Sequence, residues 1–313
     1  MPTIAAVVVT YNRKMMLIQC LDALLSQSRP VERIVVIDNA STDGTGDLVK
    51  ERYGNLVQHV LLPENVGGAG GFHNGMALAY QGGYDLIWVM DDDVRPEQDC
   101  LRELLSVSSS ARVLAPIRVS ETGEIVDMAH ARVTRSGKRE RSRYVCHLFP
   151  NPSNLPRLIE LENVSFEGPL FHRSVISDAG LPRSDFFILC DDAEYSWRVT
   201  RLGLGPLQCV TAARMIRMLP ASNAAVPEWR NYYFWRNSLH INRQYANSLH
   251  ERVIGDVRFL LSYLKGALTG RAGNGPLKVR MHAWIDSFRD PMPRRYLPLV
   301  TTQQGKTESG STN

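Results

Sequence analysis

The first hundred residues alternate short apolar runs with segments of helical periodicity, and this alternation most restricts the fold. The runs TIAAVVV (residues 3–9), RIVVID (33–38) and DLIWVM (85–90) carry polar residues only at their ends. A continuous apolar strand is typical of a parallel sheet that is buried on both faces. Helices predicted at about residues 15–26 and 45–52 separate the runs. The pattern therefore predicts a βαβ series and an α/β sheet with right-handed crossovers.

A glycine-rich stretch, NVGGAGGFHNGM (residues 65–76), follows another predicted strand, VQHVLLP (57–63), and leads into a helix through Tyr80. It does not match the dinucleotide pattern GxGxxG, because the third position falls on His73. Two interpretations remain open. The glycines let the backbone approach a phosphate or sugar at a helix start, or they serve only the conformation of a loop.

The remainder of the chain divides by composition. Regularity is lost from about residue 118 to 157, where a basic stretch indicates a surface loop or a β-excursion, and returns with VSFEGPLFHRSVI (164–176). Beyond Pro227 the sequence is helical, aromatic and basic. We expect an α/β domain over residues 1–225, a C-terminal helical region over 226–300 and a disordered tail over 301–313.

The bulk composition excludes several classes of protein. With 313 residues, 44% hydrophobic residues and a net charge of +4, the chain can bury one large core but is too weakly basic to indicate nucleic-acid binding. Its five cysteines have no CxxC spacing, which favours reduced thiols over zinc or redox chemistry. No uncharged apolar stretch reaches the roughly 18 residues of a membrane span, and no signal peptide is recognised. We therefore expect a cytoplasmic protein.

Three adjacent carboxylates, Asp91, Asp92 and Asp93, directly follow the apolar run DLIWVM. Carboxylates at the end of a buried strand repel one another unless a cation lies nearby. A hard divalent metal that also binds diphosphate oxygens would explain the cluster. The alternative is a solvated acidic turn before Pro96.

Two further polar segments, VVTYNR (residues 8–13) and VIDNASTDGT (36–45), end the first two predicted strands. In open α/β sheets, ligands bind outside the carboxyl ends of the strands. Asp38 could accept a hydrogen bond from a ring N–H, with Tyr11 or Arg13 against the ring. For Ser41 and Asp43, turn and cap roles are favoured.

These segments, in this order, resemble family 2 inverting glycosyltransferases of the GT-A fold, over roughly residues 3–220. The glycine-rich stretch is most similar to that of galactofuranosyl- and rhamnosyltransferase-type members. The resemblance implies a donor-binding half over about residues 1–117 and an acceptor half over about 158–225. It implies metal ligation by Asp93 and Asp91, with Mn²⁺ or Mg²⁺. The donor-binding residues that it implies are Thr10, Tyr11, Arg13, Asp38, Asn65, Gly68, Gly71, Asn74, Asp91 and Asp92.

The resemblance also assigns the catalytic base, which the family places at a helix N-terminus in a motif similar to CDDAEYSWR (residues 190–198). Asp192 matches the base, and Asp191 orients the acceptor or the loop. Glu194 and Arg198 have the i,i+4 spacing of an ordinary helix ion pair. The acceptor pocket is expected to include Glu167, Gly168 and Trp197.

The sequence departs from the family at one metal ligand. Members often have a metal-binding histidine in the strand after the base-bearing helix, but VTAARMIRMLPAS (residues 210–222) has none, and Arg217 or Met218 stands there. We expect Asp93 and the donor diphosphate to hold the metal, with Arg217 against phosphate. The alternative is a ligand elsewhere, such as His240, for which a packed histidine is the commoner outcome.

The C-terminal region leaves two interpretations open. An aromatic and basic surface suits peripheral contact with the inner face of a membrane, and packing against the catalytic domain is equally consistent with Trp229, Arg230, Tyr232, Tyr233, Phe234, Trp235 and Arg236. Arg236 and Asn237 could also reach the diphosphate.

The predicted function is metal-dependent, inverting transfer from a nucleoside-diphosphate sugar, UDP-galactofuranose or another UDP- or dTDP-sugar. The acceptor is a growing cell-envelope, O-antigen or lipid-linked glycan. A nucleotidyltransferase is the alternative enzyme, but it would need a glycine-rich loop after the first strand, where TYNRKMM (residues 10–16) has no glycine. An inactive sugar-nucleotide-binding module is the non-enzymatic alternative, and Asp192 argues against it. No signal indicates an oligomeric state.

Overall fold

The structure is a computed structural model that describes residues 1–107, 111–131, 134–135, 138–139, 143–219, 226–246, 248–269 and 276–297. Strands and helices alternate through the first part, and the four strands predicted there are confirmed. The elements are β1 (Ile4–Thr10), α1 (Lys14–Leu25), β2 (Arg33–Asp38), α2 (Thr45–Tyr53), β3 (Val57–Leu61), α3 (Gly67–Gln81), β4 (Leu86–Asp91), β5 (Val94–Pro96), α4 (Cys100–Leu105) and β6 (Val113–Val119).

The second part begins with short strands and ends with three helices. Its elements are β7 (His130–Ala131), β8 (Thr134–Arg135), β9 (Lys138–Arg139), β10 (Arg143–Tyr144), α5 (Val145–Leu148), β11 (Leu158–Leu161), β12 (Leu170–His172), α6 (Arg173–Ala179), α7 (Asp191–Arg201), β13 (Leu207–Arg217), α8 (Glu228–Tyr245), α9 (Leu249–Thr269) and α10 (Leu277–Asp286). Short 3₁₀ helices occur at Gly54–Leu56, Pro152–Asn154 and Ser184–Phe186. The expected boundary at residue 225 and the expected tail at 301–313 lie outside the described residues.

One mixed sheet organises the fold, in the order β3-β2-β1-β4-β12-β6-β13-β11-β7-β10, with β5 paired to β13. β3, β2, β1 and β4 are parallel. β12 runs antiparallel to both β4 and β6, and β13 is parallel to β6. The βαβ prediction therefore holds for the first four strands, and the second half contributes antiparallel strands to the same sheet.

Helices cover both faces of the parallel part. Along β1, Ala5, Val7 and Val9 face a core that includes Phe72 and Met76 of α3. The alternate residues of β1 face the opposite core, which includes residues of α1, α2 and α4. Because β1 is buried on both faces, every position along it is apolar up to its end at Thr10.

The glycines of the stretch at residues 65–76 lie inside α3, where they allow close packing. A Cβ atom on Gly75 would lie 2.3 Å from Val7 Cγ1, and one on Gly71 would lie 2.5 Å from Val9 Cγ1. A Cβ on Gly70 would lie 2.5 Å from Val66 Cγ2. Of the two interpretations, the conformational loop was therefore wrong, because these glycines lie in a helix and Gly71 and Gly75 bring that helix against β1; the approach to a phosphate or sugar stays a prediction.

The aromatic residues of α8 mostly pack inside the protein. Tyr232 and Tyr233 are fully buried in a cluster with Val279 and Ala283 of α10. The guanidinium of Arg280 lies over a group of rings, at 4.8 Å from Trp235, 5.2 Å from Phe259 and 5.7 Å from Tyr263. Tyr233 also stacks on Phe187, with 4.7 Å between the ring centroids, so packing against the catalytic domain is confirmed for this tyrosine.

Other expectations concern cysteines and membrane spans. The five cysteines are all free thiols. Among the helices of the described residues, none combines the length and the apolar character needed to cross a bilayer.

The packing of α3 on β1 can be tested by replacing Gly75 with Ala. Although alanine favours a helix over glycine by about 1 kcal/mol, overpacking against Val7 costs about 1–3 kcal/mol. We expect Gly75→Ala to lower the free energy of unfolding, measured by urea denaturation. Gly68→Ala is the control, because a Cβ there meets only Phe72, at 4.0 Å. A Gly75→Ala protein as stable as Gly68→Ala would contradict the packing argument.

Candidate active site

The parallel register brings the ends of three strands to one edge of the sheet. Thr10 of β1 pairs with Asp38 of β2, and Val9 pairs with Asp91 of β4. The loops that leave these strands therefore lie at one edge of the sheet, which is where open α/β sheets bind ligands.

Asp38 is buried at this edge and its carboxylate already has protein partners. Oδ1 accepts from the Ser41 backbone N–H at 2.8 Å, and Oδ2 lies 3.0 Å from His59 Nε2. Burial alone would raise the pKa of Asp38, but the bonds to His59 and Ser41 outweigh it and lower that pKa. The role of Asp38 toward a nucleotide base stays a prediction, and the sequence did not indicate His59 as its neighbour.

The loops after β1 and β2 are hydrogen-bonded to each other. Ser41 Oγ accepts from the Asn12 backbone N–H at 2.9 Å. Asp43 accepts from the backbone N–H of Lys14 at 3.2 Å and of Thr45 at 3.1 Å, at the starts of α1 and α2. The turn and cap roles predicted for Ser41 and Asp43 are therefore present. Tyr11, which begins the first loop, is half-buried.

The acidic cluster after β4 is bound by residues of the first loop. Thr10 Oγ1 donates to Asp92 Oδ2 at 2.6 Å. Arg13 Nη1 lies 3.2 Å from Asp92 Oδ1 and 2.9 Å from Asp93 Oδ2. Burial raises the pKa of Asp92 to about 6, against the opposing effects of Arg13 and Thr10. At 2% exposure, Asp92 is enclosed by protein rather than open to a sugar, and Thr10 and Arg13 hold it there.

Within the described residues, the carboxylates of Asp91 and Asp93 have fewer bonded partners than that of Asp92. Burial raises the pKa of Asp91, and the charges of Asp93 and Glu167 raise it further. Burial also raises the pKa of Asp93, as does Glu167, while Arg13 and Arg217 lower it. Glu167 and Arg217 therefore lie close enough to influence the acidic cluster.

Glu167 is held by two arginines. Arg118 Nη1 donates to Glu167 Oε2 at 2.6 Å, and Arg217 Nη2 is 4.0 Å from Glu167 Oε1. Arg118 also donates to Asp127 Oδ1 at 2.7 Å. The sequence reasoning missed Arg118 and Asp127. An arginine inside the otherwise apolar strand β6 was the signal that could have found the first.

The loop that carries Glu167 is attached to β4. Gly168 has a φ of +111°, and a Cβ on it would lie 2.6 Å from Met215 Cε. The Gly168 N–H donates to Val89 O at 2.9 Å, and the buried Trp88 indole donates to Gly168 O at 2.8 Å. These bonds set Glu167 beside the end of β4.

The paired acids lie at the N-terminus of α7. Asp191 is buried and Asp192 is half-buried, so Asp192 is the more accessible carboxylate. Burial raises the pKa of both, and the charge of Asp192 raises that of Asp191 further. Glu167 also raises the pKa of Asp192, and Arg118 lowers it. Glu167 therefore connects Asp192 electrostatically to Asp91 and Asp93.

The segment before α7 has an unusual backbone. Phe187, Leu189 and Cys190 have φ values of +63°, +66° and +65°. Each such residue costs of order 1–3 kcal/mol and persists only where its surroundings hold it. The apolar run at residues 186–189 is thus a constrained loop.

The helix α7 is attached to α8 through its other charged residues. Arg198 donates to Glu194 through Nε at 3.1 Å and Nη2 at 2.7 Å, so the predicted ion pair is confirmed. Tyr245 of α8 also donates to Glu194. Trp197 is exposed, with its ring centroid 6.4 Å from that of Tyr245. These contacts do not bring Trp197 to the loop of Glu167.

The predicted donor residues around α3 have local partners. Asn65 Oδ1 accepts from the Gly67 N–H at 2.8 Å, and Asn74 Nδ2 donates to Gly70 O at 2.8 Å. Gly71 is buried against β1, whereas Gly68 is half-exposed at the helix start. Of this group, Gly68 is the residue left with open space beside it.

The described residues contain no group of three histidine, cysteine, aspartate or glutamate side chains arranged for a metal ion. The oxygens of Asp91 and Asp93 nevertheless fit a hard divalent cation, since carboxylates are its preferred ligands. His240 is packed: Nδ1 is 3.2 Å from Ser287 O and Nε2 is 3.2 Å from Arg183 Nη1. The histidine that the sequence offered as an alternative ligand is therefore already bonded.

Comparison with known sequences connects this cleft to a family. The profile of Glycosyl transferase family 2 matches residues 5–161, from β1 to the end of β11. Galactofuranosyltransferase GlfT1 of Mycobacterium tuberculosis (strain H37Rv) is 31% identical over 224 residues, which cover 67% of this chain and 69% of the relative. Galactofuranosyltransferase GlfT1 of Mycolicibacterium smegmatis is 29% identical over 222 residues, with the same coverage of 67% and 69%.

Solved structures confirm the GT-A fold. GalNAc-T7 with UDP, GalNAc and Mn²⁺ superposes with a TM-score of 0.57 and 13% identity, covering 77% of this chain and 48% of the other. The chain thus spans about half the length of GalNAc-T7. S. aureus TarS 1–349 in complex with UDP has a TM-score of 0.56 and 17% identity, covering 91% of this chain and 78% of the other. From the profile match and the M. tuberculosis relative, the chain belongs to glycosyl transferase family 2 and is a glycosyltransferase.

Proposed function

We propose that this enzyme is a metal-dependent, inverting glycosyltransferase that uses a nucleoside-diphosphate sugar. The observation that carries the proposal is the position of Glu167: the bond from Gly168 to Val89 places its loop beside β4, which ends in the acidic cluster, and Arg118 donates to Glu167 at 2.6 Å. The charge of Glu167 also raises the pKa of Asp192 at the start of α7, which supports one site for the acids suited to the donor and the acid suited to the acceptor. The GlfT1 relatives support UDP-galactofuranose as the donor, with other UDP- or dTDP-sugars as alternatives.

In this proposal Asp192 is the general base. Its carboxylate takes the proton of the acceptor hydroxyl as that oxygen attacks the anomeric carbon opposite the departing diphosphate, which inverts the configuration. Its greater exposure favours Asp192 over buried Asp191. Asp191 then orients the acceptor or the loop.

The diphosphate would be met by metal and by arginines. Asp93 and Asp91 would hold Mn²⁺ or Mg²⁺, which neutralises charge on the leaving diphosphate. Burial lowers the pKa of half-buried Arg230, as do the charges of Arg13 and Arg217. Guanidinium groups bind phosphate oxygens well. Arg230 is thus an additional candidate beside the predicted Arg13 and Arg217.

The other predicted contacts complete the proposal. Tyr11, Asp38 and Gly68 are assigned to the donor, and Glu167 and Gly168 to the sugar and acceptor pocket. The other residues that were assigned to the donor have supporting roles in this proposal. Four act through the bonds described above: Thr10, Asn65, Asn74 and Asp92. Gly71 acts through its packing against β1. The acceptor is a cell-envelope, O-antigen or lipid-linked glycan, and Trp197 would contact it only at the outer flank of α7.

A lipid-linked acceptor would require contact with a membrane surface, and α9 supports such contact. Seven aliphatic side chains on one face of α9 are exposed, between 38% and 87%: Leu249, Val253, Val257, Leu260, Leu261, Leu264 and Leu268. Arg258 and Lys265 are exposed at one side of this stripe. An apolar face with basic residues along one side suits a helix that lies in the interface of an anionic bilayer.

The role of Asp192 can be tested by Asp192→Asn. Loss of the base should lower turnover by about two to four orders of magnitude and leave the affinity for UDP with Mn²⁺ nearly unchanged. Because burial raises its pKa, the acid limb of kcat/KM in the wild type should lie above the ordinary aspartate pKa of about 4. Asp178→Asn, on an exposed residue paired with Arg112, is the control. Near-normal turnover in Asp192→Asn would move the role to Asp191.

Metal dependence can be tested by isothermal titration of Mn²⁺. With too few protein ligands for a closed site, metal should bind weakly to the free protein and tightly with UDP present. Asp93→Ala should weaken UDP binding in Mn²⁺ by about tenfold, or about 1.4 kcal/mol. The control is Asp99→Ala, on an exposed residue paired with Arg102. Tight, stoichiometric binding without UDP would contradict this proposal.

Membrane contact can be tested by sedimentation with anionic vesicles. Leu261→Glu should reduce binding by about tenfold or more, because a buried leucine contributes about 1.5–3 kcal/mol. Leu56→Glu is the matched control, since Leu56 is 63% exposed and Leu261 60%. Equal binding of the two variants would exclude α9 as the membrane-contacting surface.

A further inference from the structure

The segment at residues 187–190 precedes the paired acids and is turned sharply. The Ile188 N–H donates to Phe186 O at 2.7 Å, two residues back, around Phe187 with a φ of +63° and a ψ of −61°. A three-residue turn of this kind is rare and strained. Its backbone leads through Cys190 directly into Asp191, so the direction of the α7 N-terminus depends on it.

Asn237 of α8 binds three carbonyl groups of this segment. Its Nδ2 lies 3.0 Å from Phe186 O, 3.0 Å from Ile188 O and 2.7 Å from Leu189 O. The NH₂ group has two hydrogens for these three acceptors, so one hydrogen is shared. A single side chain thus gathers the carbonyls on both sides of the turn.

Arg236 binds the same segment and orients Asn237. Its Nη2 donates to Asp185 O at 2.7 Å and Phe186 O at 2.9 Å, and its Nε donates to Asn237 Oδ1 at 2.9 Å. Its Nη1 donates to Pro293 O at 2.6 Å. The bond to Oδ1 sets the amide so that Nδ2 faces the turn.

Neither side chain can touch a substrate. Arg236 and Asn237 are both 0% exposed, and the Arg236 guanidinium lies 4.6 Å from the Tyr233 ring centroid. The idea that they reach the diphosphate was therefore wrong. A buried guanidinium and a buried amide are costly unless their bonds are satisfied, and here those bonds go mainly to the segment that supports the acids.

The turn is also held from the donor side of the cleft. Phe187 O accepts from the Ala69 N–H, near the start of α3, at 3.1 Å. A Cβ on Gly67 would lie 2.0 Å from the same oxygen, so the approach requires glycine at that position. The segment therefore connects the start of α3, the start of α7 and the middle of α8.

We propose that Arg236 and Asn237 are positioning residues that hold residues 187–190 in their strained conformation and so orient Asp191 and Asp192 for sugar transfer. The proposal rests on the proposed function for the role of Asp192. It makes α8 part of the catalytic apparatus. A displacement of a reacting group by about 1 Å can cost about 10²-fold in rate, so small losses of support are sufficient to slow the reaction.

The test is Asn237→Asp in the full chain, which keeps the shape and replaces the donor by an acceptor. Release of UDP from UDP-galactofuranose should show kcat lowered by about 10²-fold, with the KM for the donor sugar and the Kd for UDP with Mn²⁺ within about threefold of wild type. Asn242→Asp is the matched control on the same helix, because the side chain of Asn242 makes one weak bond to the part of the chain that the structure describes, 3.4 Å to Arg252 O. The control should keep wild-type kcat.

The pH profile separates positioning from a loss of folded protein. If the turn relaxes, water reaches Asp192 and its raised pKa falls toward the ordinary value of about 4. Since the unprotonated carboxylate is the active form, the acid limb of kcat/KM should move to lower pH in Arg236→Lys, which adds no negative charge near Asp192 that would raise the pKa again. A smaller folded fraction would lower the rate without moving the limb.

Two further measurements keep the proposal open to refutation. If Asn237→Asp does not fold, Arg236→Lys serves as the second variant. It retains the positive charge but loses the forked guanidinium group, and it should lower kcat by about tenfold. Amide hydrogen exchange at residues 187–195 should accelerate in both variants and not in Asn242→Asp, independently of any donor. Unchanged exchange, or a kcat within twofold of wild type with an unmoved limb, overturns the proposal. Absence of UDP release by the wild type would instead contradict the proposed donor.

Discussion

The parallel pairing of β1 with β2 and β4 is the interaction on which the rest of this structure depends. Its register aligns Thr10 with Asp38 and Val9 with Asp91. Because β1 is buried on both faces, a shift of one residue would move every side chain into the opposite core. Polar residues are therefore confined to the strand ends, and three loops with carboxylates or hydroxyls meet at one edge.

Charge compensation then determines how these loops are arranged. Three aspartates follow β4, and burial makes their ionised forms costly. Arg13 bonds to Asp92 and Asp93, while Arg118 pairs with Glu167. The arginines come from β1's loop and from β6, so the acidic centre requires both halves of the sheet. The arginines compensate the carboxylates only in part, and the proposed divalent cation with its anionic donor would complete this set of charges.

Close backbone approach connects the parallel sheet to the helices that follow it. The glycines of α3 allow contact with β1 on one side and, at Gly67, with the carbonyl of Phe187 on the other. That carbonyl belongs to the turn that Asn237 holds from α8. The segment that leads into the N-terminus of α7, with its two aspartates, is thereby bonded directly to the start of α3.

The sequence by itself determined the family, the GT-A fold, the parallel strands and the Glu194–Arg198 pair, because apolar periodicity and short motifs are local properties of the chain. It also predicted the position of the acids at strand and helix ends. Only the tertiary structure decided that Asp92 is enclosed, that Arg118 holds Glu167, that the α3 glycines serve packing and that Arg236 is buried beneath the turn. These depend on contacts between residues tens of positions apart, and the burial that sets their charge and exposure exists only once the sheet and helices are assembled.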